Sequence, residues 1–321
     1  MFQKGKLCFF HVRTPLHAGS GQDLGLVDLP IQRERHTGWP KIEGSGVKGS
    51  LREVFQQVLE TRAESSKKWI DLVFGPEEDG NDHAGALGFS DARILLFPVK
   101  SMKGVFAYTT CPAILKRLIQ DLEALGSTST TPSPPGEDID KALLASKACL
   151  IQNKIVLEEY ALDAAEDNAA SEWGKWLAEK TKIPEIQKRL VILPNDDFRD
   201  FVELATEVIT RTKIDSKTGT VATGALFTEE FLPAESVLYT LVLASTLFYD
   251  GKERENKSKE FNSFLAESLL KNGSAGNIIL DKNRAENVLL FFETLLPSVV
   301  QMGGNATLGK GLVRTILMEE K

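Results

Sequence analysis

The distribution of apolar and polar positions predicts a first β-strand close to the N-terminus. The segment KLCFFHVRTP alternates, is rich in aromatic and branched residues, and ends with a proline, Pro15. After a glycine-rich stretch, VKGSLREVFQQVLETRAE has apolar residues at helical spacing. One face of this predicted helix carries Leu51, Val54, Phe55 and Leu59. The chain therefore begins with a strand, a glycine-rich connection and an amphipathic helix.

Strand and helix patterns continue to alternate along the rest of the chain. Strand patterns occur in DARILLFPV, GVFAYTTC, NKIVLEEYAL, KRLVILP, ATEVITRTKID, SVLYTLVLAST and the C-terminal LVRTILME. Helix patterns occur in KKWIDLVFG, AILKRLIQDLEAL, ASEWGKWLAEKT, NDDFRDFVELAT and NRAENVLLFFETLL. This mixed order predicts an α+β fold, and the sequence shows no fixed-period repeat.

Two polar segments interrupt these patterns. GSTSTTPSPPG, residues 126–136, is dense in Ser, Thr and Pro, which predicts a mobile loop. Residues 214–233 are largely polar and contain glycine between two β-rich runs, which predicts an extended β-hairpin. Neither segment needs to be a domain boundary, so we expect one domain with insertions over residues 1–321.

The composition is that of an ordinary globular protein, with 42% hydrophobic and 26% charged residues. No apolar run approaches the roughly 18 residues of a membrane-spanning helix, and the N-terminus lacks the features of a signal peptide. We therefore expect a cytoplasmic protein with no membrane partner. Cys8, Cys111 and Cys149 lie too far apart for a zinc or redox motif and are expected to be buried.

The net charge of −7 argues against nucleic-acid binding through global charge, but the charges are unevenly distributed. Residues 1–52 carry eight Lys or Arg against four Asp or Glu, whereas residues 137–167 carry three against eight. One face of the protein can therefore be basic although the whole chain is acidic.

The C-terminal GGNATLGKG resembles a nucleotide-binding P-loop. However, Gly311 replaces the Ser or Thr that would hold magnesium, and a predicted strand follows where a P-loop needs a helix. We therefore exclude a nucleotide hydrolase. The glycines still indicate a loop whose backbone closely approaches another group, and Lys310 could add positive charge to the exposed N–H groups of that loop. A tight connection without any ligand is the open alternative.

A second glycine-rich segment, GSGVKGSLRE, leads into the first predicted helix. The unpaired N–H groups and the helix dipole at such an entry favour an anion. Lys48, Gly49 and Arg52 are therefore candidate phosphate contacts. The alternative is an ordinary helix start that is capped by Ser45.

Asp28 lies between apolar residues, as either a turn residue satisfied by neighbouring N–H groups or a working carboxylate. His17 is a candidate acid–base group or a structural residue, and His36 is a nucleic-acid contact or merely exposed. RERH, residues 33–36, mixes charges as a solvated loop does. The sequence has no metal-ligand spacing and no Ser–His–Asp or Cys–His arrangement.

Several segments, in their order along the chain, resemble one protein family. They are HAGSG, VDLPIQRERHTGWPKIEGSGVKGSLRE, FGPEE, ARILLFPVKSMKGVFAYTT, TGTVATGALFTEEFLP and GGNATLGKG. This set is similar to the backbone RAMP subunits of type III-B CRISPR (Cmr) effector complexes. The stretches around 126–136, 161–183 and 251–280 have no counterpart in this resemblance.

The resemblance implies a ferredoxin-like (RRM-like) palm with helical insertions. Residues 214–233 would form a β-hairpin thumb, and residues 303–311 a C-terminal glycine-rich loop. It also implies guide RNA (crRNA) and target RNA as partners, and further copies of the chain stacked head to tail in a helical filament. Other Cmr subunits, including the large Cas10-type subunit and the small helical subunit, are implied as well.

The same resemblance assigns the RNA contacts. The guide phosphates would be gripped by Lys48, Gly49 and Arg52 at the helix entry, and by Gly304, Lys310 and Gly311 in the glycine-rich loop. His17 would orient its loop or contact RNA. Leu226 and Phe227 would lie against unstacked bases, or only pack the hairpin. Contacts to the RNA backbone leave the bases free to pair.

Asp28 would be the catalytic residue that cuts bound target RNA at regular intervals. A carboxylate can accept the proton of the attacking 2′-hydroxyl or hold a divalent metal ion. A free Asp, with a pKa near ~4, is a weak base at neutral pH, so the metal role is favoured, with Mg²⁺ expected. The family's cutting, which leaves a cyclic phosphate and a 5′-hydroxyl, is consistent with attack by the 2′-hydroxyl.

Two rival functions remain open. The chain could be a non-catalytic structural crRNA-binding backbone subunit that leaves cutting to another subunit. It could also be a repeat-processing ribonuclease of the same superfamily that acts alone on the guide precursor.

Overall fold

The computed structural model describes residues 2–22, 25, 27–61, 67–76, 83–215, 217–248, 254–271 and 283–320. The strands are β1 (Lys4–Val12), β2 (Lys41–Ile42), β3 (Leu87–Phe89), β4 (Ala92–Ser101), β5 (Val105–Thr110), β6 (Ala142–Leu144), β7 (Lys154–Leu157), β8 (Tyr160–Glu166), β9 (Leu190–Ile192), β10 (Glu207–Ile214), β11 (Val221–Phe231), β12 (Val237–Ala244), β13 (Val299–Gln301) and β14 (Leu312–Leu317). The helices are α1 (Gly44–Glu60), α2 (Lys67–Phe74), α3 (Pro112–Ala124), α4 (Asn168–Thr181), α5 (Ile186–Arg189), α6 (Asn195–Leu204), α7 (Arg254–Lys271) and α8 (Ala285–Leu295). The predicted mixture of helices and strands around a sheet is confirmed.

Four antiparallel strands form the centre of the main sheet, in the order β14–β1–β12–β4. Phe9 of β1 lies opposite Tyr239 on one side and Ile316 on the other. Helix α1 follows β1 in the chain, and α8 lies between β12 and β14 and packs against β1 and β12. The residues of β1 from Leu7 to Val12 are all buried. Because successive side chains point to opposite faces of a strand, both faces of this part of β1 are covered.

The sheet extends from β4 through β5, β9, β6, β8 and β7, and β13 forms the opposite edge. One expectation at this end is wrong. NKIVLEEYAL does not form a single strand but two antiparallel strands, β7 and β8. Glu158 lies in the turn between them with a φ of 49°, in the left-handed region. The chain therefore reverses at a position where the apolar pattern gives no break.

Aromatic side chains join the helices over the central strands. Phe55 of α1 stacks on Phe292 of α8 with ring centroids 5.3 Å apart, and it meets Phe74 of α2 edge-on at 5.2 Å. Phe291 contacts Phe261 of α7 at 5.5 Å. The helical face that the sequence predicts for α1 is confirmed, with Leu51, Phe55 and Leu59 buried.

The predicted hairpin is a two-stranded sheet of its own, formed by β10 and β11. It spans residues 207–231, so it begins earlier than the expected 214–233. Bridges at its base connect Leu16 with Leu232 and Leu29 with Glu229. The hairpin is thus anchored by the segment that follows β1.

The loop at 126–136 lies against α4. The indole N–H groups of Trp173 and Trp176 donate to the carbonyl oxygens of Ser133 and Thr130, each at 3.0 Å. The mobility of this loop stays a prediction. The three cysteines are buried and unpaired, as expected. Within the described part of the chain, no helix is long and apolar enough to cross a membrane.

Phe55→Ala should destabilise the protein by about 3 to 5 kcal/mol, because it removes a buried ring that three helices share. Urea unfolding followed by circular dichroism measures this change. Gln57→Ala, two residues away on the exposed side of α1, is the control and should change the free energy of unfolding by less than about 0.5 kcal/mol. Equal effects of the two variants would contradict the proposed core.

Candidate functional site

The loop that carries Asp28 is attached to the hairpin through the backbone. The N–H of Leu29 donates to the carbonyl of Thr228 at 3.0 Å, and the N–H of Glu230 donates to the carbonyl of Leu29 at 3.0 Å. Leu29 pairs in parallel with Glu229. This short pairing places Asp28 beside Thr228, which follows it by 200 residues in the chain.

The carboxylate of Asp28 is exposed and held by Thr228. Its Oδ2 accepts a hydrogen bond from the Thr228 amide at 2.7 Å and from the Thr228 hydroxyl at 2.8 Å. The backbone bond and then the side-chain bond lower the pKa of Asp28. The partner that holds this carboxylate lies 200 residues away in the chain, so a local turn alone does not account for these bonds.

Two adjacent glutamates are buried at the base of the hairpin. Glu230 is 5% exposed, and its carboxylate accepts from the amide of Ile31 at 2.9 Å, the guanidinium of Arg33, and the hydroxyl of Thr206 at 2.8 Å. Glu229 is 4% exposed. The Glu230 carboxylate links the hairpin to the loop that follows Asp28.

Arg33 is a site residue that the sequence interpretation missed. Its guanidinium also donates to the carbonyls of Gly38 and Val202, at 2.8 and 2.9 Å. The expectation of a solvated RERH loop is therefore wrong for Arg33, although Arg35 and His36 are exposed. The acidic pair in LFTEEF is the signal that could have revealed this pairing. Two successive strand residues point to opposite faces, so one of the two glutamates has to face the body of the protein and needs a positive partner there.

His17 lies between the hairpin and the glycine-rich loop. Its Nδ1 donates to the carbonyl of Glu230 at 2.7 Å, and its Nε2 lies 3.7 Å from Oε1 of Glu229. The imidazole packs against Phe231 with ring centroids 5.6 Å apart, and only 12% of the side chain is exposed. These contacts favour the structural role for His17, in which it orients its loop.

The glycine-rich loop packs against the same segment. Gly304 donates its N–H to the carbonyl of His17 at 2.9 Å, and Gly311 donates to the carbonyl of Pro15 at 3.0 Å. Gly311 has a φ of 72°, and a Cβ there would lie 2.0 Å from the carbonyl oxygen of Met302, so only glycine fits. The predicted residues His17, Gly304, Lys310 and Gly311 are therefore brought together.

Lys310 and Asn305 connect this loop to β11. The Lys310 ammonium lies 5.0 Å from the centroid of the Phe231 ring. Asn305 donates its side-chain amide to Oε1 of Glu229 at 2.6 Å, and Arg211 pairs with Oε2 of the same carboxylate at 2.6 Å. The loop thus closes over one face of the hairpin, where Glu229 is compensated by positive and amide groups.

Lys48, Gly49 and Arg52 form a second group on α1. Gly49 is exposed and has open space around its Cα. Burial and then the charge of Arg52 lower the pKa of Lys48. Arg52 is already engaged, because it donates to the carbonyl of Gly75 and pairs with Asp71 at 2.6 Å. Lys48 is therefore better placed than Arg52 to bind an external anion.

The first amide of α1 is capped by Asp91, whereas the alternative drawn from the sequence names Ser45 as the cap. Gly44 donates its N–H to Oδ1 of Asp91 at 2.9 Å, and Asp91 in turn pairs with Lys41 at 2.9 Å. A carboxylate already satisfies the first amide of the helix. Lys48 is the fifth residue of α1, so an RNA phosphate would contact its side chain beyond the first turn of the helix.

Leu226 and Phe227 lie on opposite faces of β11. Leu226, which is 64% exposed, pairs with Thr212, whereas Phe227 pairs with Arg211 and is half-buried. Because side chains alternate along a strand, Leu226 shares its face with Thr228. The two predicted base contacts therefore do not act on the same side of the hairpin.

Asp28 is the residue that would hold a divalent metal ion. Among the described residues, no group of three or more His, Cys, Asp or Glu is arranged to hold a metal. Asp28 offers one exposed carboxylate that its hydrogen bonds keep ionised. Magnesium is commonly bound by one or two carboxylates together with substrate phosphates and water. The residues present therefore fit a metal that RNA phosphate helps to hold.

Comparisons with known proteins agree with this architecture. The family model described as the RAMP superfamily matches residues 9–314. The chain is 36% identical, over 98% of its length and 96% of the relative's, to the CRISPR system Cmr endoribonuclease Cmr4 of Pyrococcus furiosus. It superposes on the crystal structure of oligomeric Cmr4 from that organism with a TM-score of 0.68, at 30% identity and 99% coverage of both chains.

A further solved structure resembles the chain in fold alone. It is a type III-B Cmr-beta complex bound to cognate target RNA, matched with a TM-score of 0.69 at 20% identity and 98% coverage of both chains. The family match covers nearly the whole chain, and the identity to the Pyrococcus relative extends over both ends. The chain therefore belongs to the RAMP superfamily and, within it, to the Cmr4 family.

Proposed function

We propose that this chain is the guide-RNA-binding backbone subunit of a type III-B CRISPR effector complex and the endoribonuclease that cuts the bound target RNA. The observation that carries the proposal is the Asp28 carboxylate, which is exposed, ionised and fixed to the hairpin by Thr228. A Pyrococcus relative that is 36% identical is named an endoribonuclease. A residue that only closed a turn would not need a partner on a separate hairpin.

The palm in this proposal is the unit β1–α1–β4–β12–α8–β14. Its chain order is β-α-β-β-α-β, and its strands lie in the order β14–β1–β12–β4, which is the arrangement of a ferredoxin-like fold. The hairpin β10–β11 is the thumb, and α2 to α7 with the remaining strands are insertions. Palm and thumb meet at the Asp28 loop.

Guide RNA binds through its phosphates. Lys48 on α1 and Lys310 in the glycine-rich loop present positive charge to an anion, and Gly49 leaves open space for it on the surface of α1. Arg52 has to exchange or share its bond with Asp71. Contacts of this kind position RNA without reading its sequence. The bases thus remain available to pair with the target, and the thumb side chains Leu226 and Phe227 can separate short paired segments.

In cleavage, the 2′-hydroxyl oxygen forms a bond to the neighbouring phosphorus and loses its proton to water, while the bond from phosphorus to the 5′-oxygen breaks. The products are a cyclic phosphate and a 5′-oxygen that takes up a proton to become a 5′-hydroxyl. Asp28, with its lowered pKa, is too weak a base to remove the 2′-hydroxyl proton efficiently, so its role would be to hold a divalent metal ion together with the RNA phosphate. A divalent ion, expected to be Mg²⁺, would supply positive charge against the charge that develops on the phosphoryl oxygens. Leu226, on the face of β11 that Asp28 contacts, would hold the displaced nucleotide away from its neighbours.

The partners follow from the same proposal. They are guide and target RNA, further copies of the chain in a head-to-tail filament, and other Cmr subunits, including the large Cas10-type subunit and the small helical subunit. The solved relative that is oligomeric supports self-association. A purely structural backbone would not use the Asp28 carboxylate for cleavage. A precursor-processing ribonuclease would cut RNA as the isolated chain, without partner subunits.

Asp28→Asn should leave assembly and target binding intact but lower the rate of target cleavage by at least about 100-fold, because it removes the negative charge. The measurement is cleavage of labelled target by the complex reconstituted with guide and partner subunits, with Mg²⁺ or with EDTA. Asp163→Asn, an exposed carboxylate far along the chain on β8, is the matched control and should cut normally. Unchanged cleavage by Asp28→Asn would leave the structural backbone as the function, and precursor cleavage by the isolated protein would favour the processing role.

Lys48→Ala should weaken guide binding and reduce the slope of log affinity against log salt concentration by about 0.7 to 0.9, the contribution of one neutralised phosphate. Filter binding or fluorescence anisotropy over a salt series gives this slope. The exposed Lys175 of α4 provides the control, and Lys175→Ala should keep the original slope. An unchanged slope for Lys48→Ala would show that Lys48 is only a surface residue.

The protein should form species that contain two or more copies on a long guide RNA, because a head-to-tail contact that does not close extends into a filament. Sedimentation velocity with the guide, and with an RNA too short for two copies, measures this. One copy per long RNA at every protein concentration would contradict the stacking.

A further inference from the structure

We propose that Thr228 is a positioning residue for Asp28, and that its hydroxyl and amide hold the carboxylate in one orientation for target cleavage. The inference rests on the proposed function, since it needs Asp28 to act on RNA. It adds a second residue to the site, and it makes cleavage depend on the hairpin.

The two residues form a closed set of hydrogen bonds. The Thr228 hydroxyl accepts the N–H of Asp28 at 2.9 Å and donates to Oδ2 of Asp28 at 2.8 Å. The Thr228 amide donates to the same oxygen at 2.7 Å. Both bonds from Thr228 to the carboxylate end on Oδ2 and restrict rotation of the side chain. Neither of them uses Oδ1.

The described residues around Asp28, which are 18–22, 25 and 27–30, form bends and single bridges but no helix or strand. Asp28 itself lies in a bend, and among these residues Leu29 bonds to β11 and Ser20 to Pro30. An exposed carboxylate on such a segment would otherwise sample several rotamers. Placing a reacting group within a fraction of an ångström of its productive position requires a partner that is itself held rigidly.

Thr228 is held rigidly because it belongs to a strand. It lies opposite Thr210 on β10, and the buried carboxylate of Glu230 anchors the same strand two residues later. The orientation of the Asp28 carboxylate therefore depends on the hairpin as well as on the Asp28 loop. When the hairpin is in place, the carboxylate is oriented, and a displaced hairpin would lose both bonds.

The test compares Thr228→Val, Thr228→Ser and Thr128→Val in the reconstituted complex with guide RNA. Valine keeps the shape and the amide bond but removes the hydroxyl, whereas serine retains it. Thr128→Val makes the same chemical change at an exposed position in the loop at 126–136, outside the hairpin. Single-turnover cleavage at saturating complex gives the rate constant, and a titration gives the target affinity.

We expect Thr228→Val to lower the rate constant by about 10- to 100-fold, as for other partners that orient a ligand or reacting group, with target affinity unchanged. Thr228→Ser should restore most of the rate, and Thr128→Val should cut normally. Hydrogen–deuterium exchange provides a readout that does not depend on activity. The valine variant should exchange faster in a peptide that contains Asp28, and the serine variant should not.

A normal cleavage rate for Thr228→Val, in a preparation where Asp28→Asn is inactive, would overturn the positioning role alone. A slow rate accompanied by weaker target binding, or one that serine does not restore, would assign Thr228 to folding and also overturn it. If Asp28→Asn itself cuts normally, the proposed function fails first, and Thr228 has no reacting group to position.

Discussion

The buried carboxylate of Glu230 is the interaction on which the arrangement of the site depends. It binds three groups from two parts of the chain: the amide of Ile31 and the guanidinium of Arg33 in the loop after Asp28, and the hydroxyl of Thr206 between α6 and β10. Removing one partner from a buried charge typically costs about 3 to 5 kcal/mol, because the remaining charge stays desolvated. The hairpin, the Asp28 loop and the end of α6 therefore hold a common position or lose it together.

The contacts of Glu230 also fix the position of Asp28. Leu29 pairs with β11 between the Thr228 contact and the Glu230 contact, so the loop has one register against the strand. Arg33 extends the link to the carbonyl of Val202 in α6. The Asp28 carboxylate is exposed, whereas the ion pair of Arg33 and Glu230 that holds its loop is 21% and 6% exposed. The reactive group is thus separate from the groups that fix its geometry.

The sequence predicts those features that depend on local periodicity. The apolar spacing locates β1, the buried face of α1 and the strand after the glycine-rich loop, and this strand is what excludes a P-loop. Local patterns carry no information about distant partners. Thr228 for Asp28, Glu230 for Arg33 and Asp71 for Arg52 became visible only in the fold. The division of NKIVLEEYAL into two strands was missed because Glu158 adopts a left-handed φ that few side chains favour.

The two faces of β11 divide the site. Leu226 and Thr228 lie on the face that holds Asp28, whereas Phe227, Glu229 and Phe231 lie on the other, beside His17 and Lys310. Because side chains alternate with a period of two, a slip of one residue would exchange these sets and place Glu229 where Thr228 now holds Asp28. Two carboxylates would then face each other without a donor. The paired glutamates, each matched to its own arginine, oppose that slip, so the charges that anchor the hairpin also determine which of its faces can take part in cleavage.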